Sequence, residues 1–275
     1  MMDTLVSTQW LHDELGAPDL AIVDASKFLT QRDAAAEFGE RHIPGARFLD
    51  IGKVADPAFP RANMLPSAAD FAAAMEKIGV GSDDRIVVYD DSPLRSAMRG
   101  WFMFRHFGAA RVAVLDGGLG KWIAEGRPVE AGEAAPRAAR FDARAASDVV
   151  AKTDVLAGLE HPLVDARERD RFEGKTSDPR PGVADGHIPG ARNLPFASLW
   201  NADGTMKSEA ELRAAFAAAG VDPAAPFVAS CGSGVTANSL IFAAHRLGND
   251  SARLYDGSWS EYGADPATPK AVGPA

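Results

Sequence analysis

The sequence predicts an α/β protein of two tandem domains, each a mostly parallel sheet with helices on both faces. Three observations carry this. Short apolar segments alternate with helix-length ones along the whole chain, the pattern of a parallel sheet covered on both sides. A series of motifs occurs twice. Between the two series, alanine, proline and mixed charge replace the apolar pattern over residues 129–148.

In the first copy, Leu20-Ala21-Ile22-Val23-Asp24-Ala25 is a short apolar run of strand length. Arg41-His42-Ile43-Pro44-Gly45-Ala46-Arg47 follows. There proline fixes φ and glycine takes a conformation that other residues avoid, so the motif reads as a turn. A helical pattern runs from Asp70 to Ile78, a strand over Arg85-Ile86-Val87-Val88-Tyr89-Asp90 and a helical pattern from Leu94 to Phe107. The copy closes with Val114-Leu115-Asp116-Gly117-Gly118. The second copy repeats the series: Pro162-Leu163-Val164-Asp165-Ala166, then Gly186-His187-Ile188-Pro189-Gly190-Ala191-Arg192, then a helix from Glu209 to Ala219. It continues with Pro226-Phe227-Val228-Ala229-Ser230-Cys231, a helix-like stretch ending near Leu247, and Arg253-Leu254-Tyr255-Asp256-Gly257-Ser258. The domains are therefore placed at residues 1–128 and 149–275, with residues 129–148 as a linker that wraps between them.

A chain of 275 residues with 46% hydrophobic and 24% charged residues suits two ordinary globular domains. No apolar run approaches the length of a membrane span, and Met1-Met2-Asp3-Thr4 lacks the basic start of a signal peptide, so the expected location is the cytoplasm. A net charge of -9 argues against nucleic acid and anionic membranes as partners. An anionic substrate then requires a local cationic pocket. The histidines His12, His106, His161 and His245 show no ligand spacing and a lone cysteine builds no thiolate cage, so no metal site is expected. Gly117-Gly118-Leu119-Gly120 lacks the residues of a phosphate loop or a dinucleotide fingerprint, and no cofactor is expected either.

The single cysteine, Cys231, stands at the end of a strand and opens Cys231-Gly232-Ser233-Gly234-Val235-Thr236-Ala237, which leads into a helix. A strand delivers the sulfur to the carboxyl end of a sheet, glycines let the backbone wrap around it, and the helix aims its N-terminal N–H groups back at it. That arrangement favours the thiolate. Taken alone, an unpaired cysteine reads as a small buried hydrophobe; the strand, glycine turn and helix together read as a nucleophile. A cysteine-based phosphatase needs an arginine six positions after its cysteine, where this chain has Ala237. Aligned on the preceding strand, Cys231 corresponds to Asp90 of the first copy, so only the second copy carries a sulfur nucleophile.

This seven-residue run resembles the active-site loop of the rhodanese-like sulfurtransferases, and its Gly-Ser-Gly variant resembles that of the 3-mercaptopyruvate sulfurtransferases. Thiosulfate-preferring relatives tend to carry basic residues where Gly232 and Ser233 stand. The duplication resembles the tandem arrangement of that family, an inactive N-terminal domain followed by a catalytic C-terminal one. The resemblance implies a small-molecule sulfur donor, a persulfide on Cys231 cradled by the N–H groups of the loop from Gly232 through Gly234, Val235 and Thr236, and release of pyruvate. Cyanide, a small thiol or a thioredoxin-like protein would be the acceptor. Thiosulfate as donor is one alternative. A non-catalytic persulfide carrier is the other.

Following the strand that ends at Asp165, residues 166–180 are crowded with guanidinium groups, at the end of the sheet where α/β folds hold ligands. The resemblance assigns Arg171, before Phe172, and Arg180, after Asp178-Pro179, to the donor, whose carboxylate and ketone suit planar charged forks. The competing reading is solvated ion pairing with Glu168, Asp170 and Asp178, which is also the reading for Arg169. Ser233 is read as a donor to the substrate carbonyl or a proton relay to the leaving enolate, against a serine that merely bonds nearby backbone. The family implies a first-domain histidine and aspartate in support of the serine, for which His42 and Asp33 are the candidates. Because the His-Ile-Pro-Gly-Ala motif occurs in both copies and the cysteine in only one, His187 and the motif as a whole read as structural.

Overall fold

The apolar runs become the central strands of two parallel sheets. In the computed structural model, which describes residues 2–59, 63–133 and 136–274, the elements of the first series are β1 (Leu5–Val6), α1 (Thr8–Asp13), β2 (Leu20–Asp24), α2 (Ala34–Glu40) and β3 (Arg47–Phe48). They continue with α3 (Ala68–Ile78), β4 (Arg85–Tyr89), α4 (Ala97–His106), β5 (Val112–Leu115) and α5 (Gly118–Ala124). The second series comprises β6 (Val149–Val150), α6 (Lys152–Ala157), β7 (Leu163–Asp165), α7 (Arg169–Phe172) and β8 (Arg192–Asn193). After a 3-10 turn at Phe196–Leu199 it continues with α8 (Glu209–Ala218), β9 (Val228–Ser230), α9 (Ala237–Arg246), β10 (Arg253–Tyr255) and α10 (Ser258–Tyr262).

Each sheet has five strands, in the orders β1-β5-β4-β2-β3 and β6-β10-β9-β7-β8, and every pairing is parallel. Successive residues of β4 from Ile86 to Tyr89 and of β9 from Val228 to Ser230 are all buried, so both faces are covered. The helices are bounded by local chemistry. Ser67 Oγ accepts the Asp70 N–H at the start of α3, and Gly79, at φ 77°, ends it. Ser208 and Glu211 form a capping box on α8.

The chain divides into two compact units that are not contiguous in sequence. The first contains Met1–Asp56, Leu65–Ala146 and Asn201–Met206; the second contains Pro57–Met64, Ser147–Trp200 and Lys207–Ala275. Most of the stretch read as a linker lies on the first unit: Phe141 is buried against Phe71 at 5.3 Å, and Arg137 donates to the carbonyls of Gly79 and Pro18. Ala134 and Ala135 of that stretch lie outside the described residues. Among the described residues no helix is long and apolar enough to cross a membrane.

The repeated motif forms the same turn twice. The Ala46 N–H bonds the Ile43 carbonyl and the Ala191 N–H bonds the Ile188 carbonyl, both at 3.0 Å, with Gly45 at φ 76° and Gly190 at φ 79°. Proline followed by a left-handed glycine is the composition that a type II turn requires. Each turn hands the chain to a two-residue edge strand, β3 or β8.

Candidate functional site

In the second unit the chain runs from β7 to β8 on one side and from β9 to β10 on the other. The crevice beyond the carboxyl ends of β7 and β9 is therefore the switch point of the sheet, the place where open α/β folds bind ligands. The loop after β9 begins with Cys231, and the loop after β7 carries Arg171 and Arg180.

Backbone accounting shows what the cysteine loop does. Every carbonyl from Cys231 to Thr236 is engaged. The Cys231 carbonyl accepts from Trp259 N–H at 3.0 Å, and that of Gly232 from Ser260 N–H at 2.9 Å, from Ser260 Oγ at 2.6 Å and from Arg180 Nη1. Ser233 O accepts from the Asn63 N–H at 3.2 Å and from Asn63 Nδ2 at 3.1 Å. Asn238 Nδ2 donates to the carbonyls of Gly234 and Val235, at 2.8 and 2.9 Å, and Ser239 N–H takes that of Thr236. None of the N–H groups from Gly232 through Ala237 has an acceptor among the described residues. The loop thus commits its carbonyls to protein donors and leaves its N–H groups without protein acceptors among the described residues, at the N-terminus of α9. This is the arrangement of an anion nest. Gly234 makes it possible: at φ 77°, a Cβ would stand 2.6 Å from Asp256 Oδ1.

Cys231 is 1% exposed. Its N–H donates to Ser258 Oγ at 3.1 Å, and the same oxygen lies 3.9 Å from Cys231 Sγ and donates to the Tyr255 carbonyl. Ser258 holds φ at 50°, a conformation that costs a non-glycine residue energy. The corresponding residue of the first copy is Gly118, at φ 57°, where a Cβ would meet Asp90 O at 2.3 Å. Only the copy with the cysteine carries a hydroxyl at this position.

The first unit is an internal control. Asp90, in the place of Cys231, folds its carboxylate back so that Oδ2 accepts from Ala97 N–H at 2.8 Å and Ser96 Oγ at 3.2 Å. The carboxylate consumes donors that the second unit leaves available. Burial pushes Asp90 up to about 6, against the opposing hydrogen bond from Ala97.

Arg171 and Arg180 converge on the cysteine loop. A Cβ on Gly232 would stand 3.3 Å from Arg180 Nη2 and 3.5 Å from Arg171 Nη2. Both are held by Asp178, whose side chain is 2% exposed: Oδ2 accepts from Arg171 Nη2 at 2.9 Å and from Arg180 Nη2 at 2.6 Å, and Oδ1 from Arg180 Nε at 2.7 Å. Burial alone would raise Asp178, but the hydrogen bonds and charge of Arg180 outweigh it and hold the carboxyl below its usual range. Arg171 Nε is buried without an acceptor among the described residues. The two guanidinium groups and the Asp178 carboxylate together carry +1 next to Gly232. The loop itself is braced by Arg167, which makes a buried bidentate pair with Asp165 and stacks over Trp259 at 4.7 Å.

The remaining expected residues are used elsewhere. His42 is buried in the first unit, stacked on Phe38 at 4.1 Å, with Nδ1 on the Phe38 carbonyl at 2.8 Å and Nε2 3.3 Å from Glu130 Oε1. His187 does the same with Phe172, at 3.8 Å, and the Phe172 carbonyl. Both rings lock the repeated turn against the preceding helix. Asp33 caps α2, accepting from the N–H groups of Ala35 and Ala36. The residue that the structure sets on Ser233 is Asn63, whose Nδ2 lies 3.0 Å from Ser233 Oγ. Asn63 carried no motif, whereas Ser258 was visible as the departure from Gly117-Gly118 in the repeat. Among the described residues no group of three or more histidine, cysteine or acidic side chains is placed to hold a metal. A cavity of about 470 Å³ in the first unit, lined by Asp24, Ser26, Glu37, Glu40, Arg41 and Asp91 among others, is acidic and contains no cysteine.

Residues 7–125 and 150–265 each match the family described as rhodanese-like domain. The human 3-mercaptopyruvate sulfurtransferase is 42% identical, over 94% of this chain and 91% of its own. The enzyme of that name from Escherichia coli (strain K12) is 40% identical over 94% of both chains, and the thiosulfate sulfurtransferase of Bos taurus is 41% identical over 94% of this chain and 91% of its own. An Escherichia coli crystal structure, described by its rhodanese fold and the catalytic mechanism of 3-mercaptopyruvate sulfotransferases, superposes with a TM-score of 0.85 at 37% identity, covering 94% of this chain and 99% of that one. Overall identity does not separate the two donors, so the choice between them falls to the residues at the cysteine loop.

Proposed function

The chain belongs to the rhodanese family as a sulfurtransferase with two such domains, and on that premise we propose that it moves the sulfur of 3-mercaptopyruvate to a thiophilic acceptor through a persulfide on Cys231. The observation that carries this reading is the polarity of the cysteine loop: its carbonyls are engaged, its N–H groups have no acceptors among the described residues, and two guanidinium groups stand at Gly232.

Arg171 and Arg180 bind the carboxylate and keto oxygen of the donor and set its sulfur against Cys231 Sγ. The Cys231 thiolate attacks that sulfur. A sulfur–sulfur bond forms as the bond between sulfur and C3 breaks, and the electron pair departs onto pyruvate as its enolate. Ser233 donates to the developing enolate oxygen, and C3 takes up the proton that the donor thiol gives up. The persulfide anion that remains is stabilised by the loop N–H groups. Cyanide removes its outer sulfur as thiocyanate. A thiol removes it as a new persulfide, from which a second thiol releases hydrogen sulfide with formation of a disulfide.

Gly232 and Ser233 add no charge beside the cysteine, and the Asp178-linked clamp carries +1, which favours a monocarboxylate over the compact thiosulfate dianion. The test is turnover with each donor and one acceptor, with the intact mass recorded after donor alone. The expected result is a preference for 3-mercaptopyruvate of at least about tenfold in kcat/KM, about 1.4 kcal/mol. Donor alone should add one sulfur atom to the wild type and none to Cys231→Ser. Turnover in Cys231→Ser would remove the persulfide mechanism, and preference for thiosulfate would reverse the donor assignment.

A further inference from the structure

We infer that Asn63 is the positioning residue that makes Ser233 a one-way hydrogen-bond donor to the donor's carbonyl oxygen. The inference deepens the reading above and rests on it.

Asn63 meets Ser233 at three points: its backbone N–H and its side-chain Nδ2 both reach the Ser233 carbonyl, and Nδ2 also reaches Ser233 Oγ at 3.0 Å. The carbonyl contact fixes which end of the amide faces the serine. A carbonyl oxygen only accepts, so the side-chain atom 3.1 Å from it must be the nitrogen. That nitrogen only donates. Ser233 Oγ therefore accepts from Asn63 and cannot give its own proton back to it. No other acceptor for the Ser233 hydroxyl is present among the described residues. The proton is thus directed to whatever oxygen enters the cradle.

Charge builds on the keto oxygen only as the carbon–sulfur bond breaks, so a correctly aimed O–H acts on kcat more than on KM. An amide also has no ionisation near neutral pH. The aim of Ser233 is therefore independent of pH, which an imidazole or carboxyl group at position 63 would not allow. The other ionisable groups about the loop, Cys231, Arg171, Arg180, Asp178 and Asp256, are common to wild type and variants, so the difference in their rates at each pH isolates residue 63.

The test is a double-mutant cycle in 3-mercaptopyruvate turnover, with Asn63→Leu and Asn63→Asp each made alone and with Ser233→Ala, over pH 5 to 9. Ser233→Ala is expected to lower kcat by about tenfold or more. Asn63→Leu is expected to lower kcat by about tenfold with KM changed by less than about threefold, and to cost nothing further in the Ser233→Ala background. Asn63→Asp, nearly isosteric, guards against misfolding of the leucine variant. Its carboxylate, ionised across this range, accepts where the amide donated and draws the serine proton away, so its kcat should fall at least as far as that of Asn63→Leu. That fall should vanish in the Ser233→Ala background, where simple repulsion of the donor would persist. Losses at Asn63 that add in full to Ser233→Ala, or an Asn63→Asp kcat equal to wild type, would overturn the inference while leaving the serine's role intact. A wild-type rate in Ser233→Ala would remove that role itself, and the inference with it.

Discussion

At the scale of single residues, Ser258 does what its counterpart Gly118 cannot. Its Oγ accepts the Cys231 N–H and lies 3.9 Å from the sulfur, and φ is held at 50° to place it there. Such strain persists only where surrounding structure compensates it, and it is a mark of functional positions. Ser258→Ala leaves the strain and strands a buried N–H, a loss of about 1–3 kcal/mol. Ser258→Gly strands the same N–H but relieves the backbone, by about 1 kcal/mol. Both variants are therefore expected to slow the first half-reaction, read as single-turnover pyruvate release, with the glycine variant melting higher than the alanine variant. Equal melting temperatures would show that the left-handed backbone at 258 carries no cost.

The loop after β7 is best understood as one element, because Asp178 ties its two arginines together. Among the described residues the Arg171 side chain bonds Asp178 alone, whereas Arg180 also grips the Gly232 carbonyl and Ser260. Arg171→Ala is expected to lower kcat/KM by about one to two decades, from charged hydrogen bonds of about 1.5–3 kcal/mol, while leaving alkylation of Cys231 by a small neutral reagent near its wild-type rate. Arg180→Ala should change both readouts. Identical behaviour of the two variants in both assays would contradict this division. Asp178→Asn raises the local charge from +1 to +2 and should move the ratio of kcat/KM values toward thiosulfate; an unchanged ratio would show that charge at the clamp does not select the donor. The ion pairing read as a rival to donor binding in the sequence is present with Asp178, and it leaves Arg171 Nε without an acceptor among the described residues, so the two readings are compatible. The central strands and the cysteine loop were legible because each carries its own pattern, an apolar run or a glycine-flanked cysteine at a strand end. The two-residue edge strands β1, β3, β6 and β8 were not, since neighbouring backbone and no side-chain period of their own holds them. Asn63 was hidden for a similar reason: it meets Ser233 across 170 positions of sequence, a contact that no local motif records. A histidine in a repeated motif stood out instead, and its ring proved to belong to the turn.

Across the whole molecule, the two copies have resolved the same buried acidic strand end in opposite ways. In the second unit Asp165 is paired with Arg167, while in the first the position of Arg167 is taken by Ser26 and Asp24 has only N–H and O–H donors. Burial pushes Asp24 up to about 6, and Asp90, close by, likewise to about 6. For an acid whose folded value lies above its unfolded one, the folded state retains a proton that the unfolded state has released. Stability contributed by these groups is therefore present below about pH 4, falls as pH rises from about 4 to 6, and is not recovered above that. Asp178, held below its usual range, has the opposite sign: its contribution is lost as pH falls. The opposing slopes make the wild-type profile a poor test and a single substitution a good one. Asp24→Asn keeps an acceptor for the Ser26 N–H and removes the charge. It should be more stable than wild type at pH 8, by up to about 3 kcal/mol for a shift of about 2 units, and gain little at pH 4.5. Urea unfolding at the two pH values measures the difference, and an equal gain at both would mean that the carboxylate is not strained by burial in the folded first unit.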